Sequence, residues 1–132
     1  MKNMLPLKMV LTVVGFAIAL LGMNIGLGGI RTLGWQGARD FIAVTDDLAF
    51  VTRDSHIRFV GGIWFGVGAL FLLGGFRLDR LRPTLILMCG IIALAGLFRL
   101  RGPDVLSAAI APSLALELLG APALALWLAR TV

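Results

Sequence analysis

Four long apolar stretches, separated by shorter polar ones, make up most of this sequence. They cover residues 9–30, 57–76, 84–100 and 112–130. A helix needs roughly 20 apolar residues to cross a hydrocarbon layer of about 30 Å, and each stretch is close to that length. The pattern therefore predicts an all-α integral membrane protein, a four-helix transmembrane bundle that forms a single domain over residues 1–132.

The longest polar segment, residues 31–55, lies between the first two predicted spans. A loop of that length without secondary structure is uncommon in a compact domain, so we expect one or two short extracytoplasmic helices here. Thr45 followed by Asp46 and Asp47 is typical of a helix start, with a capping hydroxyl and acids in the first turn. Trp35 is a suitable anchor at the membrane interface.

The remaining links are short. Residues 77–83, RLDRLRP, predict a basic hairpin loop between the second and third spans, and residues 101–104, RGPD, predict a turn after the third span.

The start of the fourth span is open to two interpretations. If a helix begins at Asp104, Glu117 lies roughly 20 Å along it, too deep for Arg99 to reach. If residues 103–111 instead run along the interface and the helix begins near Pro112, Glu117 lies roughly 8 Å deep, level with Arg99. We prefer the second geometry.

Small residues recur at helical spacing within the spans. Such residues let transmembrane helices approach closely, and the GxxxG pair of the second span is one example. The glycines expected to pack helices together are Gly15, Gly22, Gly26, Gly61, Gly62, Gly66, Gly90 and Gly96.

Composition supports the membrane class. Of the 132 residues, 59% are hydrophobic and 14% charged, which is too apolar for a soluble domain of this size. The net charge is +5, and the basic residues that produce it lie at span ends and in loops. They form no basic stripe with interleaved aromatic residues, which is the pattern typical of nucleic-acid binding. We therefore expect membrane lipids as partners, together with other membrane subunits or further copies of the chain, and no nucleic acid.

The chain has one cysteine, Cys89, and one histidine, His56. One cysteine excludes an intramolecular disulfide and a CxxC redox pair, and a single histidine makes a metal site improbable. We expect no catalytic residue, no metal and no cofactor.

Four spans place both termini on one side of the membrane. The face with the termini carries six basic residues: Lys2, Lys8, Arg77, Arg80, Arg82 and Arg130. The opposite face also carries six: Arg31, Arg39, Arg53, Arg58, Arg99 and Arg101. The second face has five aspartates against one, and two of its arginines lie at or inside span ends, so both termini are expected in the cytoplasm.

Glu117 is the only carboxylate inside a predicted span. A charge at that depth costs on the order of 3 kcal/mol and normally faces the helix bundle with a partner. The candidate polar cluster is His56, Arg58, Arg99, Ser113 and Glu117. It is interpreted as a structural ion pair, as a pocket for an anionic or amphiphilic headgroup, or as a proton-coupled site.

Three segments carry a family resemblance: RFVGGIWFGVGALFLL from Arg58, GIIALAGLFRL from Gly90 and LALELLGAPALALW from Leu114. Together they resemble an uncharacterised family of small bacterial four-helix membrane proteins, a domain of unknown function similar to DoxX-like proteins. The resemblance implies a four-helix bundle in the inner membrane. The positions that match its motif are Arg58, Gly61, Gly62, Arg99 and Glu117.

DoxX is associated with membrane quinone oxidoreductases, so the resemblance implies an accessory subunit. Family members are expected to have a Gly-x-Pro turn before the last helix, and both RGPD and APS fit this in part.

The resulting expectation is a non-enzymatic accessory or scaffold subunit of a larger inner-membrane complex. The alternative is a binding or transport bundle for a lipid, a quinone or a small amphiphile. An intramembrane enzyme is disfavoured, because the sequence has no Ser/His/Asp arrangement, no HExxH motif and no phosphate-binding loop.

Overall fold

The computed structural model describes residues 4–31 and 46–131. All regular secondary structure in these residues is helical, and four of the helices are long and apolar enough to cross a membrane. They are α1 (Leu5–Gly28, extended by a 3₁₀ turn at Gly29–Arg31), α2 (Asp47–Phe76), α3 (Leu78–Arg99) and α4 (Ala111–Arg130). The predicted fold class is confirmed. The expected interfacial anchor Trp35 and the expected cap Thr45 lie outside the described residues.

The chain is divided into two compact units. The N-terminal unit, Lys8–Phe76, contains α2 and all of α1 beyond its first turn. The C-terminal unit, Arg77–Val132 together with Met1–Leu7, contains α3 and α4.

In the N-terminal unit, α1 and α2 are antiparallel and pack backbone against backbone. A Cβ built at Gly68 would lie 2.7 Å from both the Ala19 Cα and the Gly15 carbonyl oxygen. Further along, a Cβ at Gly22 would lie 2.8 Å from the Gly61 carbonyl oxygen. Side chains at these positions would push the helices apart, so glycine is what permits the close seam.

The helix α2 begins earlier than the predicted second span. Asp46 caps it, because its Oδ1 accepts a hydrogen bond from the Ala49 N–H at 3.0 Å. No proline interrupts residues 47–76, so the first turns continue directly into the apolar span. Residues 47–55 therefore belong to α2 and form no separate short helix.

The helix α3 also begins earlier than predicted, which corrects the hairpin loop expected at residues 77–83. Leu81 N–H already donates to the Arg77 carbonyl at 3.0 Å, and Asp79 places a carboxylate in the first turn. Pro83 lies in the second turn of α3, where it removes one helical hydrogen bond, and the helix continues through it.

In the C-terminal unit, α3 and α4 are antiparallel. Buried residues of α3 recur on one face at Leu78, Leu85, Cys89 and Gly96. Arg82, near the start of α3, donates from Nε to the Leu128 carbonyl at 2.7 Å. These contacts bring the end of α4 beside the beginning of α3.

Candidate functional site

An ion pair joins the last turn of α3 to α4. Arg99 Nη2 lies 3.1 Å from Glu117 Oε1. The Glu117 side chain is only 9% exposed, whereas that of Arg99 is 43% exposed. The pair therefore leads from the surface of the C-terminal unit to a buried carboxylate.

Gly96 makes this approach possible. It lies one turn before Arg99, and a Cβ built on it would be 2.9 Å from the Glu117 Cβ and 3.0 Å from the Leu118 Cδ2. Without a side chain at Gly96, α4 can bring its acidic side chain against α3.

Ser113 completes the cluster. Arg99 Nη1 donates to Ser113 Oγ at 2.7 Å, and Ser113 Oγ donates to the Ile110 carbonyl at 2.9 Å. This geometry requires α4 to begin close to Ser113, and it does begin at Ala111, one residue before the predicted start. Residues 101–110 form turns.

Glu117 lies in a π-helical turn, Leu116–Gly120, inside α4. The Ala121 N–H reaches back five residues to the Leu116 carbonyl. Pro122 accounts for the wide turn, because its ring would clash with the Leu118 carbonyl in regular α geometry and it has no N–H to donate there. Such turns are frequent at functional sites.

One oxygen of the buried carboxylate lies outside the ion pair with Arg99. Oε1 of Glu117 faces Arg99, but Oε2 is buried and accepts no hydrogen bond from any described residue. Buried polar atoms are nearly always hydrogen-bonded, so this atom marks unused binding capacity.

Arg58 has a different role in the N-terminal unit. Its Nε donates to Asp54 Oδ2 at 2.7 Å, and its Nη1 donates to the carbonyls of Gly26 and Leu27. Asp54 Oδ1 in turn accepts the Ile30 N–H at 2.8 Å. The pair satisfies backbone groups that the end of α1 leaves free.

Gly29 shapes this end of α1. Its φ of +69° lies in the left-handed region that favours glycine, which is the usual way to terminate a helix. A Cβ at Gly29 would also meet the Asp54 carboxylate. The chain therefore turns where Asp54 and Arg58 hold it.

Three of the five predicted cluster residues, Arg99, Ser113 and Glu117, are in contact. Arg58 and the exposed His56 lie on α2 in the N-terminal unit, and their membership of the same cluster stays a prediction. Asp54 was not among the predicted site residues, although an acid four residues before an arginine on a helix is the spacing of an ion pair. Nor was Pro122 predicted to distort α4, although a proline inside a helical pattern disrupts the hydrogen bonding of the turn before it.

The predicted packing glycines fall into two groups. Cβ atoms built at five of them would lie within 4 Å of a neighbouring helix: Gly15, Gly22, Gly26, Gly61 and Gly96. Within their own units, no described residue comes that close to a Cβ at Gly62, Gly66 or Gly90. For these three, a packing role stays a prediction.

The cluster offers hydrogen bonds and compensated charge. A guanidinium has five N–H donors, and the described contacts of Arg99 use two of them. Together with the free carboxylate oxygen, the site presents donors and an acceptor to a polar group.

Residues 6–128 match the model of a family described as "Domain of unknown function (DUF4345)", and the chain belongs to that family. The predicted membership of an uncharacterised domain family is confirmed. No curated protein and no solved structure matches the chain.

Proposed function

We propose that this DUF4345 protein is a non-enzymatic accessory or scaffold subunit of the bacterial inner membrane, which associates with a larger membrane complex. The observation that supports this proposal is the open glycine pair, Gly62 and Gly66, on α2.

The open pair is not needed for the packing of α1 on α2. That seam uses Gly61 and Gly68, which are buried, whereas Gly62 and Gly66 are exposed. Because lipid is as apolar as the helices, transmembrane helices associate through close van der Waals packing at such small residues. Phe59 lies three residues before Gly62 on the same helix and is 67% exposed, so this part of α2 offers an apolar surface to a partner helix.

The resemblance to DoxX-like proteins favours a quinone oxidoreductase as the complex. In this proposal the partner subunits carry the redox chemistry, and this chain contributes a packing surface.

Both termini are proposed to lie in the cytoplasm. On the opposite face, three arginines have partners: Arg31 lies over the Phe50 ring, Arg58 binds Asp54, and Arg99 binds Glu117. Arginines held in this way contribute less to the positive-inside signal, which favours the face with the termini. Reporter tags on either end should be cytoplasmic, and periplasmic labelling of either tag would refute this orientation.

Native mass spectrometry of the protein released from its own membrane tests the accessory role. The wild type should appear within a larger assembly. The double variant Gly62→Leu/Gly66→Leu should appear outside that assembly, with a melting temperature no lower than that of wild type, because the added side chains meet nothing within their unit and leucine favours the helix more than glycine does.

Ala95→Leu is the control, since it adds apolar bulk at an exposed small residue of α3. It should remain in the assembly. A wild-type protein released alone, or a double variant that stays assembled, would contradict the proposal.

A second proposed function is a binding bundle for a lipid, a quinone or a small amphiphile. The observation that favours it is the Arg99–Ser113–Glu117 cluster, whose buried Glu117 Oε2 has no partner among the described residues.

A further inference from the structure

We infer that the Arg99–Ser113–Glu117 cluster takes an uncharged amphiphile whose headgroup carries both a hydroxyl donor and an oxygen acceptor, as a diacylglycerol does. This inference rests on the second proposed function, binding at this cluster, and adds the chemical class of the ligand.

Hydrogen bonding defines the headgroup. Glu117 Oε2 accepts no hydrogen bond from the described residues, so it is able to accept one from a ligand O–H or N–H. Arg99 has N–H groups beyond the two that its described contacts use, on a side chain that is 43% exposed, so it is able to donate to a ligand oxygen. One headgroup with a hydroxyl next to an ester oxygen meets both requirements.

Charge defines the class further. Arg99 and Glu117 neutralise each other across 3.1 Å. An anionic headgroup would add an uncompensated negative charge beside a carboxylate that is 9% exposed, where charge is costly. A neutral headgroup adds hydrogen bonds without that cost.

The surroundings suit acyl chains. Phe98, next to Arg99, is 72% exposed, and Leu116, next to Glu117, is 71% exposed. These exposed apolar side chains are sequence neighbours of two cluster residues, on the surfaces of α3 and α4. A ligand with its headgroup at the cluster can therefore lay its chains along an apolar surface.

Among the described residues, the other arginine–carboxylate pair, Arg58 with Asp54, shows the contrast. Both oxygens of Asp54 are used: Oδ2 accepts from Arg58, and Oδ1 accepts from the Ile30 N–H. That pair is complete and serves the end of α1. Glu117 differs, because its Oε2 has no partner in the part of the chain that the structure describes.

The test titrates two probes with identical chains, 1,2-dioctanoylglycerol and dioctanoyl phosphatidic acid, into the detergent-solubilised protein and counts bound adducts by native mass spectrometry. Wild type should bind 1,2-dioctanoylglycerol more tightly than it binds dioctanoyl phosphatidic acid. In Glu117→Gln, the amide oxygen should turn to Arg99 and leave an NH₂ group where Oε2 was. The neutral probe should then bind about tenfold more weakly than it binds wild type, since its hydroxyl loses a charged hydrogen-bond acceptor.

The same variant should bind phosphatidic acid more tightly than wild type does, because Arg99 is no longer neutralised. Asp79→Asn is the control, since it removes one exposed carboxylate at the other end of α3 and should change neither affinity.

The outcomes separate the two proposals. A wild type that prefers phosphatidic acid, with binding lost in Arg99→Gln, would overturn the neutral class while binding at the cluster stands. If neither probe binds, or if Glu117→Gln and Arg99→Gln both bind them as wild type does, binding at this cluster is itself refuted.

Discussion

Gly61 and Gly62 are neighbours on α2 with opposite surroundings, and this contrast gives a sharp prediction. A Cβ built at Gly61 would lie 2.6 Å from the Gly26 Cα and 2.8 Å from the Ile25 carbonyl carbon. A Cβ at Gly62 meets nothing within 4 Å in its unit. We predict that Gly61→Ala destabilises the protein and that Gly62→Ala does not.

The magnitude follows from what the new methyl group meets. Ordinary contact begins near 3.4 Å, so α1 and α2 would have to separate by about 0.8 Å or more at Gly61. The obstacle is backbone, which cannot change rotamer, and overpacking of this kind costs about 1–3 kcal/mol. Both variants gain the same helix propensity, about 1 kcal/mol, which cancels when they are compared. Gly61→Ala should therefore be less stable than Gly62→Ala by roughly 1–3 kcal/mol.

Equilibrium unfolding in mixed micelles, followed by tryptophan fluorescence, measures this difference. Trp64 lies within one turn of both substitutions, so its fluorescence reports on α2. If Gly61→Ala unfolds at the same denaturant concentration as Gly62→Ala, or at a higher one, the close seam between α1 and α2 is not formed as described.

Three further predictions concern the polar contacts. Arg99→Met should lower the free energy of unfolding by roughly 1–2 kcal/mol, because it leaves a buried carboxylate unpaired. Glu117→Leu should cost less, since it strands only a half-exposed guanidinium; equal melting of Glu117→Leu and wild type would show that the ion pair does not stabilise the fold. Gly29→Ala should cost at least about 1–2 kcal/mol in the same unfolding assay, from its left-handed backbone and its clash with Asp54, and unchanged stability would contradict this helix end.

Local pattern was enough to predict the helices but not all of their ends. Apolar length identified all four helices, and the lone carboxylate in a span identified Glu117. The extent of α3 was missed because basic residues and Pro83 are typical of a loop, whereas in the structure they occupy the first turns of the helix.

Partners distant in sequence could not be predicted from local pattern. Arg82 binds carbonyls 46 and 47 residues away, and no spacing rule points to them. Glycine faces gave a similar difficulty. Gly61 and Gly62 are adjacent residues of the same type, so the sequence does not distinguish them. Only the rotation of α2 about its axis decides which one meets α1.

Two arginines of this chain, Arg58 and Arg82, make contacts that depend on the geometry of the guanidinium group. Arg82 donates from Nε to the Leu128 carbonyl and from Nη2 to the Ala129 carbonyl, at 2.7 and 2.8 Å. Arg58 likewise joins Asp54 to the carbonyls that end α1. A lysine ammonium is a single point of charge and cannot place two donors in a fixed fork. In the N-terminal unit, Arg58 lies where the apolar part of α2 begins and binds carbonyls at the end of α1. In the C-terminal unit, Arg82 lies near the beginning of α3 and binds carbonyls at the end of α4. Each guanidinium thus meets the negative end of a helix dipole. The net charge of +5 therefore overstates the charge free to meet a partner, because part of it is held against helix ends.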